Sequence, residues 1–487
     1  MRIKSASDYF DSLRALDREV YVLGERVSNT ADHPMTRPSV STVAETYEVG
    51  DEPRCDELLF CRSHLTGREV SRFTHIHQST DDLVDKVLMQ RLLGNRTGTC
   101  FQRCVGMDGF NALYPVTYEC DLAHGTSYHD RLKDYLEWVQ DENVVVEGAM
   151  TDVKGDRSLR PGDQPDPDMF LHVVDRGPDG IVVRGAKAHQ TGALNSHEIL
   201  VMPTTAMREG EGDYAVSFAV PATTSGITFV LGRQPSDTRR LEESPIDLGS
   251  RYGSQEALVF FDDVSVPRER VFMCGEADQS GKVVEGFAAF HRQSYGGCKV
   301  GVGDAIIGAA QLASEYQGTA KAGHVKDKIT EMIHLNETLF ACGIACSERG
   351  FATPCGSYMV DMLLANVCKL NVTRFPFEIA RLLQDLAGGL VVTMPSGKDF
   401  DNAVVAPLLD KYLKGKEDVP TIDRIKILKF IENMTVGCGA AAYLTESIHG
   451  AGSPQAQRIM ILRLADLDAK VKIAKRLAGI REKVPGT

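Results

Sequence analysis

The sequence lacks the features that would place the chain in a membrane or on nucleic acid. It contains no run of about eighteen apolar residues, so no transmembrane helix is predicted. The formal net charge of −13 argues against a general nucleic-acid binder, because such proteins usually present a basic face. The N-terminal residues are amphipathic and lack the apolar core of a signal peptide. We therefore expect a cytoplasmic protein with no nucleic-acid and no membrane partner.

Cysteine is too sparse for a small scaffold held together by disulfides. The chain has 12 cysteines in 487 residues, and reduced thiols are the expectation. Most of them should behave as small apolar residues. Cys342 and Cys346, in the stretch FACGIAC, lie in an apolar helical pattern and are predicted to be structural.

Internal repeats and low-complexity segments are also absent, and the length predicts two or three domains. Helical patterns predominate up to about residue 145, with Ser79 or Thr80 as the N-cap of one helix. Short β-rich runs between turn residues follow, and they predict an antiparallel sandwich or barrel with a hairpin at DRGPDGIVVRG. Long helices then return, the last of them beginning with Ser453 as N-cap and Pro454.

This order predicts an α+β fold. The predicted domains are an N-terminal helical domain (1–147), a middle antiparallel β domain (148–278) and a C-terminal helical bundle (279–487).

The stretch HRQSYGGCKVGVGD, residues 291–304, concentrates reactive side chains. If it is helical, at about 100° per residue, then His291, Tyr295, Cys298 and Lys299 share one face. An imidazole, a phenol, a thiol and an ammonium on one face are more typical of a chemical site than of a core. Simple packing is the alternative interpretation, and the paired glycines would weaken such a helix.

A second cysteine pair extends this set. Cys100 and Cys104, in TGTCFQRCVGMD, are spaced i and i+4 and are predicted to be neighbours on one helix face. With His291 and Cys298 they supply three thiols and an imidazole, which suit an iron–sulfur cluster or tetrahedral zinc. Seven residues of helix would separate His291 from Cys298 by about 10 Å along the axis, which is long for one zinc ion and easier for a cluster.

Two further patterns in the helical segments are a repeated Glu-x-x-His spacing and a glycine-rich run. The pairs Glu331/His334 and Glu446/His449 form Glu-x-x-His patterns that are typical of di-iron bundles, although such a site would need two further glutamates. The glycines of GGCKVGVGDAIIG do not form a dinucleotide fingerprint, because Ile306 stands at the third glycine position and no strand precedes the run. They predict close helix packing or room for a ligand.

Longer stretches resemble a known enzyme family. The α, β, α order resembles the acyl-CoA dehydrogenases, and nearly the whole chain resembles the 4-hydroxybutyryl-CoA dehydratase family. The matching stretches are HQSTDDL, CFQRCVGMD, AMTDVKGDR, GAKAHQTG, HRQSYGGCKVGVGD, HLNETL, RFPFEI, AGGLVVTMPS and TESIHGAGSPQAQRIMI. A more distant resemblance is to flavin-dependent hydroxylases of the 4-hydroxyphenylacetate 3-monooxygenase type, a group without the cluster.

The resemblance implies an acyl-CoA dehydrogenase-like fold, a homotetramer, FAD and a [4Fe-4S] cluster, together with specific site residues. The implied cluster ligands are Cys100, Cys104, His291 and Cys298. The implied catalytic residues are His291, Glu446, Tyr295, Lys299 and Glu256. The implied flavin contacts are Thr151, Lys154, Asp156, Arg157, Lys187, His189, Gln190, Thr191, Gly388 and Gly389.

The implied activity is radical dehydration of the acyl-CoA thioester 4-hydroxybutyryl-CoA to crotonyl-CoA, with vinylacetyl-CoA isomerase activity. The thioester does not acidify the C3–H bond that must break, so ordinary acid–base catalysis would fail and flavin chemistry is needed. Imidazole ligation by His291 would let one iron act as a Lewis acid, and Glu446 is a candidate general base or acid. The alternatives are a flavin monooxygenase of the 4-hydroxyphenylacetate 3-hydroxylase type and a non-catalytic helical protein held by a Cys₃His zinc ion.

Overall fold

Helices come first in the chain, and short strands join them. The computed structural model describes residues 2–234, 246 and 248–480, and none of the helices described there is long and apolar enough to span a bilayer. The helices before the main strands are α1 (Ala6–Arg14), α2 (Arg37–Ala44), α3 (Cys55–Leu59), α4 (Thr80–Thr97), α5 (Cys104–His124) and α6 (Tyr128–Glu142). Ser79 caps α4 as predicted, because its hydroxyl accepts from the Asp82 backbone N–H.

The strands form two main sheets. The strands are β1 (Glu19–Val22), β2 (Glu25–Arg26), β3 (Phe60–Arg62), β4 (Glu69–Ser71), β5 (Val146–Ala149), β6 (His172–Gly177), β7 (Gly180–Thr191), β8 (Glu198–Val201), β9 (Val216–Pro221), β10 (Ile227–Gly232), β11 (Glu256–Pro267), β12 (Val271–Cys274), β13 (Phe351–Ala352) and β14 (Tyr358–Met359). One sheet has the order β2-β1-β10-β11-β7-β6, and the other has the order β12-β9-β8-β5. The predicted mixed class is confirmed.

The sheets are mostly antiparallel, as predicted, but each also contains a parallel pair. β1 runs parallel to β10, and β5 runs parallel to β8. β1 lies in the N-terminal part of the chain, which the sequence patterns describe as helical, and β5 lies at the predicted boundary between the helical and β domains. β1 is only four residues long and is completed by a partner more than two hundred residues away, so local periodicity does not reveal it. The predicted hairpin is confirmed, with Gly177 opposite Gly180.

Long helices follow the sheets. They are α7 (Ala277–Tyr316), α8 (Gly323–Glu348), α9 (Met362–Val372), α10 (Phe375–Ala387), α11 (Ala406–Tyr412), α12 (Thr421–Thr435), α13 (Pro454–Leu464) and α14 (Leu467–Leu477). The prediction of one continuous last helix from Ser453 is wrong. Asp466 interrupts it with a φ of 41°, and its side chain accepts from the Ala469 N–H to start a new helix.

Helix α7 is forty residues long and contains the whole reactive stretch from His291 to Lys299, so the predicted helix is confirmed. Its glycines allow close packing. A Cβ added at Gly296 would lie 2.5 Å from the Gly343 Cα of α8, and one at Gly297 would lie 2.4 Å from the Val87 carbonyl oxygen of α4. The predicted close helix packing at these glycines is therefore confirmed. Because the backbones meet directly, side chains on the other faces of α7 are held at fixed positions.

Candidate active site

The four candidate metal ligands come from two parts of the chain that meet where α5 packs against α7. The Sγ atom of Cys104, a carboxylate oxygen of Asp108 and a ring nitrogen of His291 lie within 4.8 Å of one another. Cys100 and Cys298 line one cavity together with Lys299. The structure therefore brings together three thiols and an imidazole that the sequence places almost two hundred residues apart.

The prediction that Cys100 and Cys104 share a helix face is wrong. Helix α5 begins at Cys104, and Cys100 lies in the preceding loop. Gly98 ends α4 in the left-handed conformation, and Gln102 also has a positive φ of 52°. The chain thus turns twice between the helices, which brings Cys100 to the cavity by a loop rather than by helical spacing.

Cys104 and Cys298 are buried and Cys100 is partly buried, and loss of solvent raises the pKa of each thiol. The pKa of Cys298 rises to about 11 through burial, with Lys299 acting in the opposite direction. The pKa of Cys100 rises further, through burial and then through the charge of Glu446. That of Cys104 also rises, through burial and then through Cys100, Asp108 and Cys298. A cation that binds here must displace the thiol protons, and the closeness of these groups is what multidentate binding requires.

His291 is held from behind by a buried carboxylate. Its Nδ1 lies 2.8 Å from Asp108 Oδ2, and its ring stacks on Phe287. Lys86 Nζ lies 2.6 Å from the other oxygen of Asp108, and neither residue is exposed to solvent. Burial alone would raise the pKa of Asp108, but Lys86 and His291 outweigh burial and lower it. Sequence reasoning missed Asp108 and Lys86, although Asp108 stands four residues after Cys104 on the same helix.

Tyr295 lies between two ammonium groups. The Nζ atoms of Lys369 and Lys299 lie 4.6 Å and 5.4 Å from the centre of its ring, within the range of cation–π contacts. Lys369 is fully buried, and it donates to the Ser447 carbonyl oxygen. Burial, followed by Lys299 and Arg292, lowers the pKa of Lys369 to about 7. Lys369 is a further site neighbour that no sequence pattern indicated.

A pair of carboxyl groups completes the site. Glu446 follows a π-helical turn, Ala441–Thr445, and its Oε2 lies 3.6 Å from Lys299 Nζ. Lys299 also donates to the Ala442 carbonyl oxygen within that turn. Glu256, the first residue of β11, accepts from Thr191 Oγ1 at 2.6 Å. Burial and then the neighbouring Glu446 raise the pKa of Glu256 well above its usual range.

One oxygen of each carboxyl group remains without a hydrogen-bond partner. These are the buried Oε1 atoms of Glu256 and Glu446 within the described ranges. Buried polar atoms are rarely left unpaired in native proteins, so such atoms point to a missing ligand or water. The site therefore contains two buried carboxyl oxygens without a hydrogen-bond partner among the described residues.

Two of the predicted flavin-contacting segments lie side by side. The carbonyl oxygen of Thr151 accepts from the Ala188 N–H at 2.8 Å and from Gln190 Nε2 at 3.3 Å. His189 has a φ of 58° beside a register shift between β7 and β11, and Lys154 has a φ of 74°. Left-handed residues and bulges of this kind are common next to binding sites.

The remaining predicted flavin contacts have different surroundings. Lys187 is buried, and its ammonium contacts Met150 O, Met202 O and Asp152 Oδ1. The side chain of Asp156 accepts from Ser158, and Asp156 and Arg157 are exposed. Gly388 and Gly389 are exposed at the C-terminal end of α10, where a turn packs on α12.

The di-iron interpretation is wrong for the two Glu-x-x-His pairs. Glu331 and His334 are exposed on α8, while Met332 and Leu335 provide the buried face of that helix. Glu446 lies in the site described above. The two pairs therefore do not face one another across a bundle, which a bridged di-iron centre requires.

Comparisons with known proteins show which family the chain belongs to. Residues 5–273 match the family model for the N-terminal part of 4-hydroxyphenylacetate 3-hydroxylase, and residues 280–479 match the model for its C-terminal part. A protein of Clostridium aminobutyricum named 4-hydroxybutyryl-CoA dehydratase/vinylacetyl-CoA-Delta-isomerase is 54% identical over 98% of this chain and 100% of its own length. The chain belongs to the 4-hydroxybutyryl-CoA dehydratase family. The predicted resemblance is thereby confirmed.

Solved structures extend the comparison from the 4-hydroxybutyryl-CoA dehydratase family to its distant relatives. The structure of an oxygen-tolerant archaeal 4-hydroxybutyryl-CoA dehydratase from N. maritimus is 52% identical, covers 99% of this chain and 96% of its own, and has a TM-score of 0.97. The oxygenase component of 4-hydroxyphenylacetate 3-monooxygenase, complexed with FAD, is 24% identical over 98% of this chain and 99% of its own, with a TM-score of 0.86. This second likeness shows a shared fold.

Proposed function

We propose that this chain dehydrates 4-hydroxybutyryl-CoA to crotonyl-CoA and isomerises vinylacetyl-CoA, with FAD and a [4Fe-4S] cluster as cofactors. The observation that carries the proposal is the convergence of the buried Cys104 and Cys298, the partly buried Cys100 and His291 next to the carboxyl pair of Glu256 and Glu446. A flavin monooxygenase has no use for such a donor set. The 54% identical relative carries the same pair of activities in its name.

The donor set fits an iron–sulfur cluster better than a single zinc ion. Cys100, Cys104, His291 and Cys298 would hold the cluster. Among the described residues, the one group of three or more candidate ligand atoms that all lie within 4.8 Å of one another belongs to Cys104, Asp108 and His291, so Cys100 and Cys298 lie outside that group. A single tetrahedral ion needs all four ligand atoms about 2.0–2.3 Å from its centre. A cluster holds them further apart, and an iron bound by imidazole would supply Lewis acidity toward the departing hydroxyl.

The adjoining segments 149–158 and 184–200 would hold FAD. The support is their side-by-side arrangement, the left-handed backbone at Lys154 and His189, and the FAD complex of a structure that shares the fold. FAD would supply one-electron withdrawal from the substrate enolate, which acidifies the C3–H bond. The hydroxyl of Thr191 is directed to Glu256, so it links the flavin segment to the carboxyl pair.

Glu446 and Glu256 would divide the acid–base work. Two neighbouring carboxyl groups cannot both ionise easily, and burial followed by the charge of Glu446 raises the pKa of the buried Glu256. We therefore assign Glu256 as the protonated partner and Glu446, beside Lys299, as the base. Glu446 would remove the C2 proton that the thioester acidifies.

Lys299 and Tyr295 would position the substrate oxygen atoms. The Lys299 ammonium is held by the Ala442 carbonyl and by Glu446, and the Tyr295 ring lies between two ammonium groups. A cationic group and a phenol next to the carboxyl pair are suited to stabilise the negative charge of an enolate. Both side chains are nearly fully buried, which strengthens this effect.

We also propose a homotetramer. The support is the exposed apolar surface of the C-terminal helix α14, which has no buried residue and carries Ile473 and Leu477, four residues apart on one face, at 50% and 77% exposure. Clustered apolar surface of this kind marks an interface more often than open solvent.

The test is to purify the protein without oxygen, to measure iron, sulfide and flavin, and to assay it with 4-hydroxybutyryl-CoA. We expect about four irons per chain, bound FAD and formation of crotonyl-CoA. Cys104→Ser and Cys298→Ser should lose iron, whereas the matched controls Cys342→Ser and Cys355→Ser should retain it. Hydroxylation of 4-hydroxyphenylacetate with reduced flavin and oxygen, in a protein without iron, would contradict the proposal.

A further inference from the structure

A network of buried polar groups contacts His291 at its Nδ1 atom. His291 Nδ1 contacts Asp108 Oδ2 at 2.8 Å, and Ser294 Oγ donates to the same oxygen at 3.2 Å. Lys86 Nζ contacts the other oxygen, Oδ1, at 2.6 Å. Asp108 and Lys86 have no exposed surface, so water does not compete for these contacts.

Lys86 is itself fixed. Besides Asp108, its ammonium donates to the Phe290 carbonyl oxygen at 3.1 Å and to Gln293 Oε1 at 3.0 Å. These three acceptors use the three protons that a lysine ammonium offers. Lys86 therefore joins α4, α5 and α7 at one point and holds the Asp108 carboxylate at a defined place behind the imidazole.

The direction of the hydrogen bond determines the tautomer of His291. An ionised carboxylate accepts hydrogen bonds but donates none, so the proton between Asp108 and Nδ1 belongs to the imidazole. The lone pair of the neutral ring then lies on Nε2, which has no hydrogen-bond partner within the described part of the chain. Histidines that bind metals commonly donate their other N–H to a carboxylate in this way.

We propose that Asp108, anchored by Lys86, is a positioning residue that fixes His291 in the tautomer and orientation that bind the cluster through Nε2. The inference rests on the proposed function, because it assigns His291 to iron. It adds two residues to the site, and neither of them touches the substrate or the cluster.

The substitution Asp108→Asn separates this role from simple packing. The asparagine amide has nearly the same shape, but it places an NH₂ donor where one oxygen stood. If the NH₂ faces Lys86, two donors oppose one another in a buried site, which is costly. If it faces His291, it donates to Nδ1, and the imidazole then carries its proton on Nε2, where the proton prevents metal binding.

The readout is the Mössbauer spectrum of protein labelled with ⁵⁷Fe, which does not depend on turnover. We expect the wild type to show a separate doublet for the imidazole-bound iron, at about a quarter of the total area if one iron of four is bound by His291. This doublet should disappear in His291→Ala and fall by more than half in Asp108→Asn. Ser294→Ala, which removes a hydrogen bond to Asp108 without changing the tautomer, should retain it. A wild-type doublet in Asp108→Asn would overturn the proposal.

A second variant, His291→Cys, tests whether Asp108→Asn only prevents folding. In His291→Cys the fourth ligand is a thiolate, which needs no partner at Nδ1, so adding Asp108→Asn should leave the iron content unchanged. An equal loss of iron or of folded protein with and without His291 would show that Asp108 acts on the fold alone, and it would also overturn the proposal. Absence of iron and sulfide from the wild type would instead refute the proposed function.

Discussion

Glu446 is the general base of the proposed reaction, and its replacement is a direct test of that assignment. Glu446→Gln is nearly isosteric and leaves all four candidate metal ligands in place, so the fold, FAD and iron should be retained. Dehydration should fall by roughly 10²-fold or more if Glu446 is the general base. Exchange of C2 deuterium of the substrate with solvent, followed by NMR, should fall in parallel.

Comparing the rate of dehydration with the rate of C2 exchange shows at which step Glu446 acts. If dehydration is lost while C2 exchange continues at the wild-type rate, Glu446 acts after enolate formation. The first base would then be another group. The exposed Glu331, from the other Glu-x-x-His pattern, supplies a matched control, and Glu331→Gln should leave both rates unchanged.

His75 makes stability depend on pH at a distance from the site. Burial alone would lower its pKa, but the hydrogen bond with Asp82 and the neighbouring Cys61 outweigh burial and raise it to about 9. Because the folded pKa lies above the unfolded value of 6.5, this contribution is fully present below pH 6.5 and is lost as pH rises through about 9. The contribution of His75 to the free energy of unfolding is on the order of 3 kcal/mol.

The variant Asp82→Asn should remove this contribution. We expect its Tm to lie further below that of the wild type at pH 6 than at pH 9, in thermal melts followed by circular dichroism. Asp85→Asn is the matched control, since Asp85 also pairs with Arg72 but has no contact with His75. A difference between Asp82→Asn and wild type that is the same at both pH values would contradict this account.

At the scale of single residues, the sequence predicts the candidate ligands and the candidate carboxyl pair but not the residues that pack against them. Long matching stretches such as CFQRCVGMD and TESIHGAGSPQAQRIMI indicate most of these candidates. Asp108, Lys86 and Lys369 were missed, because a lysine or aspartate in a helical pattern is ordinarily a solvated residue. Only the packing of three helices shows that these charges are buried and paired.

Among the elements, α7 and its neighbours meet through glycine. Gly296→Ala would place a Cβ 2.5 Å from the Gly343 Cα, so α7 and α8 would have to separate. We expect a loss of about 1–3 kcal/mol in the free energy of unfolding, as in overpacked cores. Gly308→Ala, on the same helix with open space around it, should stabilise the protein by up to about 1 kcal/mol.

Thermal melts of the two variants measure this contrast. Since both changes add one methyl group to α7, the difference between them reports on the helix contact rather than on helix propensity. A lower Tm for Gly308→Ala than for Gly296→Ala would refute the packing argument.

The sequence patterns do not predict where the backbone departs from regular helix geometry. Helical periodicity correctly placed α4 and α7, but it also joined Cys100 to α5 and α13 to α14. In each case a residue with positive φ, Gly98, Gln102 or Asp466, breaks a pattern that otherwise continues. The π-helical turn before Glu446 is equally hidden, although it determines how Glu446 and the Ala442 carbonyl meet Lys299.

For the whole molecule, the exposed apolar surface of α14 predicts association. Ile473→Glu combined with Leu477→Glu should convert the proposed tetramer into smaller species, because charges would replace apolar contacts at i and i+4. Sedimentation velocity measures the change. Lys472→Glu, a charge change on the same helix, is the control and should leave the assembly intact. Wild-type sedimentation of the double variant would exclude α14 from the interface.

The separation of the ligands along the chain sets an order for biosynthesis. Cys100 and Cys104 leave the ribosome first, and His291 and Cys298 follow after roughly 190 more residues, which takes on the order of 10–40 s at typical translation rates. During that interval two thiols of the incomplete set are present without their partners. Insertion of the proposed cluster, which needs all four candidate ligands, must therefore wait until α7 has been made and has packed against α5. A nascent chain stopped before residue 291 should carry no cluster, however much iron and sulfide the cell supplies.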